Sequence, residues 1–313
     1  MKIALILAAA TCLLSPRVFA EETKVPGTLF FQYATGEERE AVPGRDFASR
    51  ITRLSPPGGP GMVGLSCYGL TFDPNTNQMC FVRGRNFGTG DNFHNRNVFY
   101  LCNLDGSNVR LLERERVDYS GFSELSNDYT PSFTSDGHIL FQTEDRIARM
   151  NGDGSNVVFL SGAKEQCGTP QQRGERIVFE KDGVCVMNLD GTGRKRIASF
   201  PTFYGSPGVD GQYSDAQLSP DGKFVAFARG RQIFVTEVDN PGNARRVSGR
   251  DARFQIGEFS DPVWSPDGRF LAVAGGQEDS RDLFLLELES GKMTQLTQTP
   301  GKDERPCDWD ETR

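Results

Sequence analysis

The stretch that decides the fold is Leu218–Phe227, which reads LSPDGKFVAF and recurs as WSPDGRFLAV at Trp264–Val273. The serines of the two copies, Ser219 and Ser265, lie 46 residues apart. Each copy places a Pro-Asp-Gly turn between an apolar residue and a β-forming run, which is the pattern of two antiparallel strands joined by a tight hairpin. A degenerate copy, FTSDGHILF, occupies residues 133–141. The motif therefore marks an internal repeat.

A second turn follows each SPDG-type turn at a regular offset. Its Asp-Gly or Asn-Pro-Gly residues supply the positive φ that hairpin turns require. Each repeat therefore reads strand A, SPDG-type turn, strand B, variable loop, strand C, second turn and strand D. The second turns are NLDGS at 103–107, GDGS at 152–155, NLDGT at 188–192, DNPG at 239–242 and ESGK at 289–292.

Four-stranded units that repeat every 40 to 48 residues or so are typical of propeller blades. The 35 glycines and 17 prolines also favour many short strands and tight turns over long helices. One candidate strand around 307–310 and strand-like runs at 28–33 and 47–54 predict a sixth blade, closed by strands from both termini. We therefore expect an all-β fold, a six-bladed β-propeller of four-stranded antiparallel blades. The complete blades are expected at 66–112, 129–160, 167–198, 213–248 and 259–297.

These SPDG-centred repeats, with DG[ST] turns downstream, resemble the WD40-like Pro-Asp repeats of the TolB-like propeller family over most of residues 27–313. The resemblance implies a propeller, but its repeated residues are structural turns and say little about function. TolB itself carries an additional N-terminal α/β domain. Only a few residues separate Ala20 from the first expected strand, so we expect that domain to be absent and do not carry over the Pal-binding and colicin-related roles of TolB.

The first 20 residues predict a signal peptide. Lys2 precedes an apolar run at 3–14, and the small residue Ala20 follows the helix breaker Pro16, as cleavage after Ala20 requires. Cys12 lies inside the apolar run, where a lipoprotein cysteine would not be, so no lipid anchor is expected. We expect a signal peptide at 1–20 and one propeller domain at 21–313. The expected location is the periplasm, with secretion as the alternative and without membrane insertion.

The charge of the chain argues against nucleic acids and anionic membranes as partners. The net charge is −7, and loss of Lys2 and Arg17 with the signal peptide lowers it to −9. An acidic protein without a basic stripe is a poor binder of nucleic acid or of anionic membranes. We expect a monomer whose partner is an envelope protein or peptide.

Six cysteines remain after removal of the signal peptide, an even number that permits disulfides in an exported protein. Cys80 and Cys102 fall on the expected B and C strands of one blade, so a bridge across these strands is a candidate; buried free thiols are the alternative. Cys67, Cys167 and Cys185 have no partner that the sequence assigns. The absence of a CxxC motif and of a cysteine-histidine cluster argues against zinc or redox sites.

Four long segments, at 84–97, 113–128, 200–212 and 249–258, fall between strands B and C or between consecutive blades. Both kinds of connection emerge on the same face of a propeller, which we call the loop face. Long loops on a rigid scaffold are where binding usually resides, although single aromatic residues there can also pack their own loop onto the blade edge. The candidate binding residues of the loop face are Phe87, Phe93, His94, Arg96, Tyr119, Phe122, Phe203, Tyr204 and Tyr213.

Two aspartates, Asp215 and Asp261, occupy matching repeat positions at the start of strand A, which lines the central channel. Two carboxylates facing a channel are candidate ligands for Ca²⁺, which prefers oxygen. The alternative is that they cap turns or hydrogen-bond the next blade. No other cofactor is expected.

The search for catalytic residues favours a binding protein over an enzyme. The chain has only two histidines, His94 and His138, and it has no GxSxG, HExxH or P-loop motif. Oligogalacturonate lyases have similar repeats with a histidine-rich Mn²⁺ site, which two separated histidines do not match. We assign no catalytic residue and expect an envelope scaffold that docks through its loop face. The alternative is a glycan lyase or hydrolase that uses channel carboxylates as acid and base.

Overall fold

The computed structural model describes fourteen ranges of the chain, and 24 strands lie within them. No helix in these ranges is long and apolar enough to cross a membrane. The described ranges are 28–35, 49–54, 60–66, 68–73, 75–87, 94–103, 107–113, 128–143, 146–163, 165–199, 215–249, 258–277, 280–298 and 302–310.

The described strands are arranged in four-stranded sheets. The first three are β1 (Thr28–Thr35), β2 (Ser49–Leu54) and β3 (Pro60–Ser66). Blade 1 contains β4 (Tyr68–Phe72), β5 (Gln78–Phe87), β6 (His94–Asn103) and β7 (Arg110–Leu111). Blade 2 contains β8 (Asp128–Phe133), β9 (His138–Thr143), β10 (Arg146–Asn151) and β11 (Val158–Phe159). Blade 3 contains β12 (Gly168–Arg173), β13 (Arg176–Glu180), β14 (Gly183–Asn188) and β15 (Lys195–Ser199).

Two further blades and a final strand complete the described chain. Blade 4 contains β16 (Gln217–Leu218), β17 (Phe224–Arg229), β18 (Gln232–Glu237) and β19 (Arg245–Arg246). Blade 5 contains β20 (Phe259–Trp264), β21 (Phe270–Gln277), β22 (Ser280–Glu287) and β23 (Met293–Gln295). The last strand is β24 (Lys302–Asp310).

Each of the five blades is one continuous segment whose four strands pair in sequence order, always antiparallel. The first and last residues of the blades agree with the expected segments to within a few residues at nearly every end. The agreement is close because the turns that separate the strands are determined by short local sequence motifs. The exception is the start of blade 4, expected at 213, where β16 begins at Gln217. The predicted all-β propeller of four-stranded antiparallel blades is confirmed.

One further four-stranded sheet joins the two ends of the chain, in the order β24-β1-β2-β3, and we call it the terminal sheet. β24 pairs antiparallel with β1 from Thr28↔Asp310 to Thr35↔Lys302. The strands expected at both ends of the chain therefore pair as the repeat pattern indicated. The sequence did not single out β3, which completes the sheet.

The inner strands of the sheets form a closed ring. The first strand of each blade contacts the first strand of the next, in the order β4, β8, β12, β16 and β20, and β24 contacts both β20 and β4. The start of each inner strand points to the same end of the ring as the B–C hairpins. That end is the loop face.

The SPDG turns repeat the same hydrogen bonds. Ser219 Oγ accepts a hydrogen bond from the Phe224 amide at 3.0 Å and donates one to Asp221 Oδ1 at 2.6 Å. Ser265 makes the equivalent bonds to Phe270 and Asp267, at 2.9 and 2.7 Å. The bond from Ser219 lowers the pKa of Asp221, although partial burial opposes it. These side chains serve the turns, as side chains of this kind do.

Hydrophobic cores lie between neighbouring sheets. Blades 1 and 2 share a cluster in which Phe99 and Phe141 meet edge to face, with ring centroids 5.4 Å apart. Equivalent clusters join blades 2 and 3, 3 and 4, and 4 and 5. Leu29 and Trp309 of the terminal sheet pack with Val263 and Leu285 of blade 5. The apolar faces of neighbouring sheets therefore pack against each other and hold the sheets together.

Candidate functional site

Four equivalent residues in the inner strands have an unusual backbone. Thr130, Thr169, Asp215 and Asp261 have φ values of 46°, 45°, 36° and 52°. Positive φ is uncommon outside glycine, and in a β-branched threonine it is an outlier. The strand register shifts beside three of them, as at a β-bulge. Backbone strain of this kind is concentrated at ligand-binding sites. This end of the ring is therefore the candidate functional end.

At this end of the ring, Asp215 is buried near several other charged side chains. Its burial, together with the nearby carboxylates of Asp261 and Glu180, raises the pKa of Asp215 well above its usual value, although Arg305 and Arg281 oppose the shift. Both effects disfavour a charged carboxylate. The carboxylate of Asp261 is therefore close enough to Asp215 to affect its pKa.

A buried network of charges lies beside this pair. Asp303, only 5% exposed, binds Arg281 Nη1 through Oδ1 at 3.3 Å and Arg305 Nη2 through Oδ2 at 3.0 Å. Burial lowers the pKa of Arg305, but Asp261, Asp303 and Asp215 outweigh it and raise the pKa overall. The guanidinium thus stays charged. We call the residues at this end of the ring the channel mouth. They are Thr130, Thr169, Glu180, Asp215, Asp261, Arg281, Asp303 and Arg305.

At the opposite end of the ring a charged pair spans the centre. Arg173 ends β12, and its Nη2 lies 3.6 Å from Oδ1 of Asp308 in β24, on the far side of the ring. The other oxygen of Asp308 accepts hydrogen bonds from the Phe72 amide at 2.9 Å and from Thr71 Oγ1 at 3.3 Å. These contacts connect β24 to blades 1 and 3 across the centre of the ring.

Polar side chains between the two ends tie neighbouring inner strands together. Gln171 Oε1 accepts a hydrogen bond from the Leu218 amide at 2.8 Å, and its Nε2 donates to Gln217. Thr71 Oγ1 likewise accepts one from the Phe133 amide at 3.1 Å. The centre of the ring is therefore lined by bonded polar groups, which fix the positions of the strands that carry the channel mouth.

The raised pKa of Asp215 is expected to make the stability of the protein depend on pH. Because its pKa is raised in the folded state, the folded protein binds more protons than the unfolded chain between the ordinary aspartate pKa and the raised one. The contribution of Asp215 to the free energy of unfolding is therefore expected to fall as pH rises through that window. Asp215→Asn is expected to flatten this part of the profile, measured by urea unfolding between pH 4 and 8. An unchanged slope in the variant would show that another group is responsible.

The sequence found two of the residues of the channel mouth. Asp215 and Asp261 were candidates from their matching repeat positions, whereas Glu180, Arg281, Asp303 and Arg305 were missed. Alignment of the repeats does place Thr130 and Thr169 at the position of the two aspartates, and that signal could have been used. No local pattern points to the arginines, which come from β22 and β24.

The predicted calcium site gains no support from the described residues. Among them, no three histidine, cysteine, aspartate or glutamate side chains are grouped so as to hold a metal ion. Ca²⁺ takes about six to eight oxygen ligands, and the guanidinium groups of Arg281 and Arg305 lie near the carboxylate of Asp215.

The segment expected to form a loop at 84–97 is mostly strand. β5 and β6 continue to the pair Phe87↔His94, which leaves only 88–93 between them. Arg96 lies in β6 opposite Arg85. The prediction of a long loop was wrong here because cross-strand pairing overrides the local preference of glycine and asparagine for turns. The other predicted binding residues, Phe93, Tyr119, Phe122, Phe203, Tyr204 and Tyr213, lie outside the described residues.

The candidate bridge between Cys80 and Cys102 is not formed. Both are buried free thiols. Cys80 is opposite Leu101 and Cys102 is opposite Met79, so the two side chains point to different faces of the blade. Burial, and then the neighbouring Cys102, raises the pKa of Cys80. Burial also raises the pKa of Cys185 to about 11. These thiols behave as small hydrophobic side chains.

Comparison with solved structures agrees with this architecture. TolB from Acinetobacter baumannii is 16% identical, with a TM-score of 0.61, over 90% of this chain and 67% of its own. Hydrazine synthase from Kuenenia stuttgartiensis is 12% identical, with a TM-score of 0.62, over 90% of this chain and 46% of its own. A chain of a nidogen/laminin complex is 12% identical, with a TM-score of 0.61, over 90% of this chain and 100% of its own.

At these identities the likeness establishes the fold alone: this chain is a β-propeller that shares its fold with TolB. No family model matches the chain, and no curated protein matches its sequence.

Proposed function

We propose that this chain is an exported, periplasmic six-bladed propeller that acts as a protein-interaction module of the cell envelope and docks through its loop face. The terminal sheet would be the sixth blade. Its contacts with blades 1 and 5 and the packing of Leu29 and Trp309 on blade 5 support that role. The expected signal peptide at 1–20 supports the location, and the fold shared with TolB is consistent with it.

The observation that carries this proposal is the asymmetry of the ring. The four inner-strand residues with positive φ and the carboxylates around Asp215 lie at the loop-face end, whereas the Arg173–Asp308 pair and the SPDG turns lie at the other end. Strain and perturbed titratable groups are typical of functional ends of a fold. The sequence also leads us to expect the candidate aromatic residues on the loop face, and aromatic residues dominate interface energetics.

Docking through the loop face can be tested by crosslinking. Residues 21–313 would be produced as periplasmic bait beside a variant with Phe87, Phe93, Tyr119 and Tyr204 changed to alanine. We expect the wild type to capture a defined envelope protein and the folded variant to lose it. The matched control changes Val109 and Val158, exposed apolar residues of the outer blade edges, to alanine. Equal capture by all three proteins would place the interface elsewhere.

A second candidate function is favoured by the Asp215–Asp261 pair. One carboxyl with a raised pKa beside another carboxylate is the arrangement that a carboxylate-based glycan lyase or hydrolase uses for acid and base catalysis. This function would require cleavage of a glycan such as polygalacturonate, measured as new reducing ends, with loss of activity in Asp215→Asn. Cleavage unaffected by that substitution would exclude the pair as its site.

A further inference from the structure

The outer strands of blades 3 and 4 carry basic residues that face each other across the interface of the two blades. Val186 of β14 and Phe234 of β18 both pack on the hydrophobic cluster that joins these blades. Lys195 of β15 lies opposite Val186, and Arg246 of β19 lies opposite Phe234. Because opposite residues share a face of a sheet, Lys195 and Arg246 lie on the two walls of this interface, where both are exposed. We call the outer part of the interface the rim groove. Its residues are Lys195, Ala198, Arg229, Phe234, Ala244 and Arg246.

The floor of the rim groove is apolar. Ala198, Phe234 and Ala244 pack against the cluster between blades 3 and 4 but keep part of their surface exposed. In blade 2, the pairing of the outer strand places Val157 and Phe159 at the positions of Ala244 and Arg246. Those bulky side chains pack on the core between blades 1 and 2. The rim groove therefore has an alanine and a charged residue where blade 2 has two apolar side chains of its own.

A third basic residue of the groove is held in place by an aromatic ring. The guanidinium of Arg229 lies 4.6 Å from the centroid of the Phe234 ring, which in turn stacks on Phe227 with centroids 5.9 Å apart. A guanidinium that covers a ring still has the N–H groups along its edge, and these match a carboxylate in two parallel hydrogen bonds. Because Arg229 is already ordered on the ring, it loses less conformational entropy on binding an anion.

The three basic residues of the rim groove lack acidic partners within the part of the chain that the structure describes. Lys195, Arg229 and Arg246 form no ion pair there. Arg176 and Asp239, which also join blades 3 and 4, bind each other at 2.8 Å. The whole chain has a net charge of −7, so the rim groove is a local exception. Its complement is a short anion, since an extended anionic surface would be repelled by the remainder of the protein.

We propose that the rim groove docks a short acidic segment of a partner protein. The carboxylates of the segment bind Lys195, Arg229 and Arg246, and an apolar side chain between them packs on Phe234 and the two alanines. The basic walls and the apolar floor together select this chemistry, because neither feature alone would favour a segment that is both acidic and apolar. The groove is a second docking surface, separate from the loop face.

Binding can be measured with a fluorescein-labelled peptide in which three glutamates flank a phenylalanine on each side. Two control peptides replace the glutamates by glutamine or the phenylalanine by glycine. In anisotropy titrations at low ionic strength, we expect saturable binding of the acidic peptide. The glutamine peptide should bind at least about tenfold more weakly, and the glycine peptide several-fold more weakly. No saturable binding of the acidic peptide, or equal affinity for all three, would overturn the proposal.

A double variant locates the peptide on the protein. Lys195→Gln with Arg246→Gln is expected to weaken binding of the acidic peptide about tenfold. The matched control is Arg110→Gln with Lys292→Gln, which removes two exposed charges at the outer strands of blades 1 and 5. Charged residues at strand edges also discourage pairing with other chains, and both pairs share that role. Equal losses in the two variants would show that the peptide follows net charge and not this groove.

Ala244→Glu tests the floor of the groove. The new carboxylate should bind the neighbouring basic residues and abolish peptide binding, while urea resistance stays unchanged because Ala244 is partly exposed. The matched control is Val109→Glu, since Val109 is 40% exposed and precedes β7 as Ala244 precedes β19. It should leave most of the affinity. Unchanged affinity in Ala244→Glu would exclude the groove.

Two further measurements separate this proposal from its alternatives. Sedimentation with phosphatidylglycerol vesicles should show no binding, and binding to vesicles without binding to the peptide would make an anionic membrane the occupant and overturn the proposal. The alanine variant of the loop face described above should bind the acidic peptide as the wild type does. Failure of either docking surface therefore leaves the other one standing.

Discussion

Replacement of Phe141 by alanine is expected to lower the free energy of unfolding by about 3 to 5 kcal/mol. Phe141 is fully buried in β9, and its ring meets Phe99 of blade 1 edge to face. The truncation removes an aromatic side chain from the core that joins blades 1 and 2 and leaves a cavity, because the surrounding strands are fixed by their own pairing. Urea unfolding followed by tryptophan fluorescence would measure the loss.

Phe141→Leu is the control for this prediction. It keeps most of the apolar volume and should cost about half as much or less. If alanine and leucine destabilised the protein equally, the aromatic contact with Phe99 and not the cavity would be responsible. A loss below about 1 kcal/mol in Phe141→Ala would show that blades 1 and 2 do not depend on this core.

Asp308→Ala is expected to destabilise the protein by about 3 kcal/mol, since hydrogen bonds to charged groups contribute roughly 1.5 to 3 kcal/mol and the change leaves donors unsatisfied. The carboxylate accepts bonds from the Phe72 amide and from Thr71, and it pairs with Arg173. These contacts join β24 to blades 1 and 3. Equilibrium unfolding in urea would measure the effect.

The matched control is Asp239→Ala, which removes an exposed ion pair with Arg176. Exposed pairs contribute about 0 to 1 kcal/mol. Asp308→Asn retains an acceptor oxygen and should recover part of the loss. If Asp308→Ala were as mild as Asp239→Ala, the contacts of Asp308 would not contribute to closure of the ring.

The blades were predictable because their turns are local. The hydroxyls of Ser219 and Ser265 accept hydrogen bonds from amides five residues further along the chain. All the residues that stabilise each SPDG turn therefore lie within the motif itself. The strands at the two chain ends could also be anticipated, since five complete repeats left unpaired strand-like runs at both ends. Local preference failed between Gly84 and Asn97, where the pairing of β5 with β6 decides the conformation.

The candidate site was predictable only in part. Asp215 and Asp261 share a repeat position, so periodicity brought them together. Arg281 and Arg305 reach the same place because the ring brings β22 and β24 alongside. A sequence motif shows only residues that are close together along the chain. The contacts of these arginines are between different sheets, so no motif could predict them. The unpaired hydroxyls of Thr130 and Thr169 depend on geometry that no motif encodes.

Pairing between β1 and β24 also sets an order of events during synthesis. β1 leaves the ribosome almost a whole propeller before its partner, so a nascent chain must carry an uncovered strand edge while the five blades form. Such edges invite pairing with other chains. A holding chaperone that shields the first strands until β24 arrives would therefore protect the newly made protein at its most vulnerable stage.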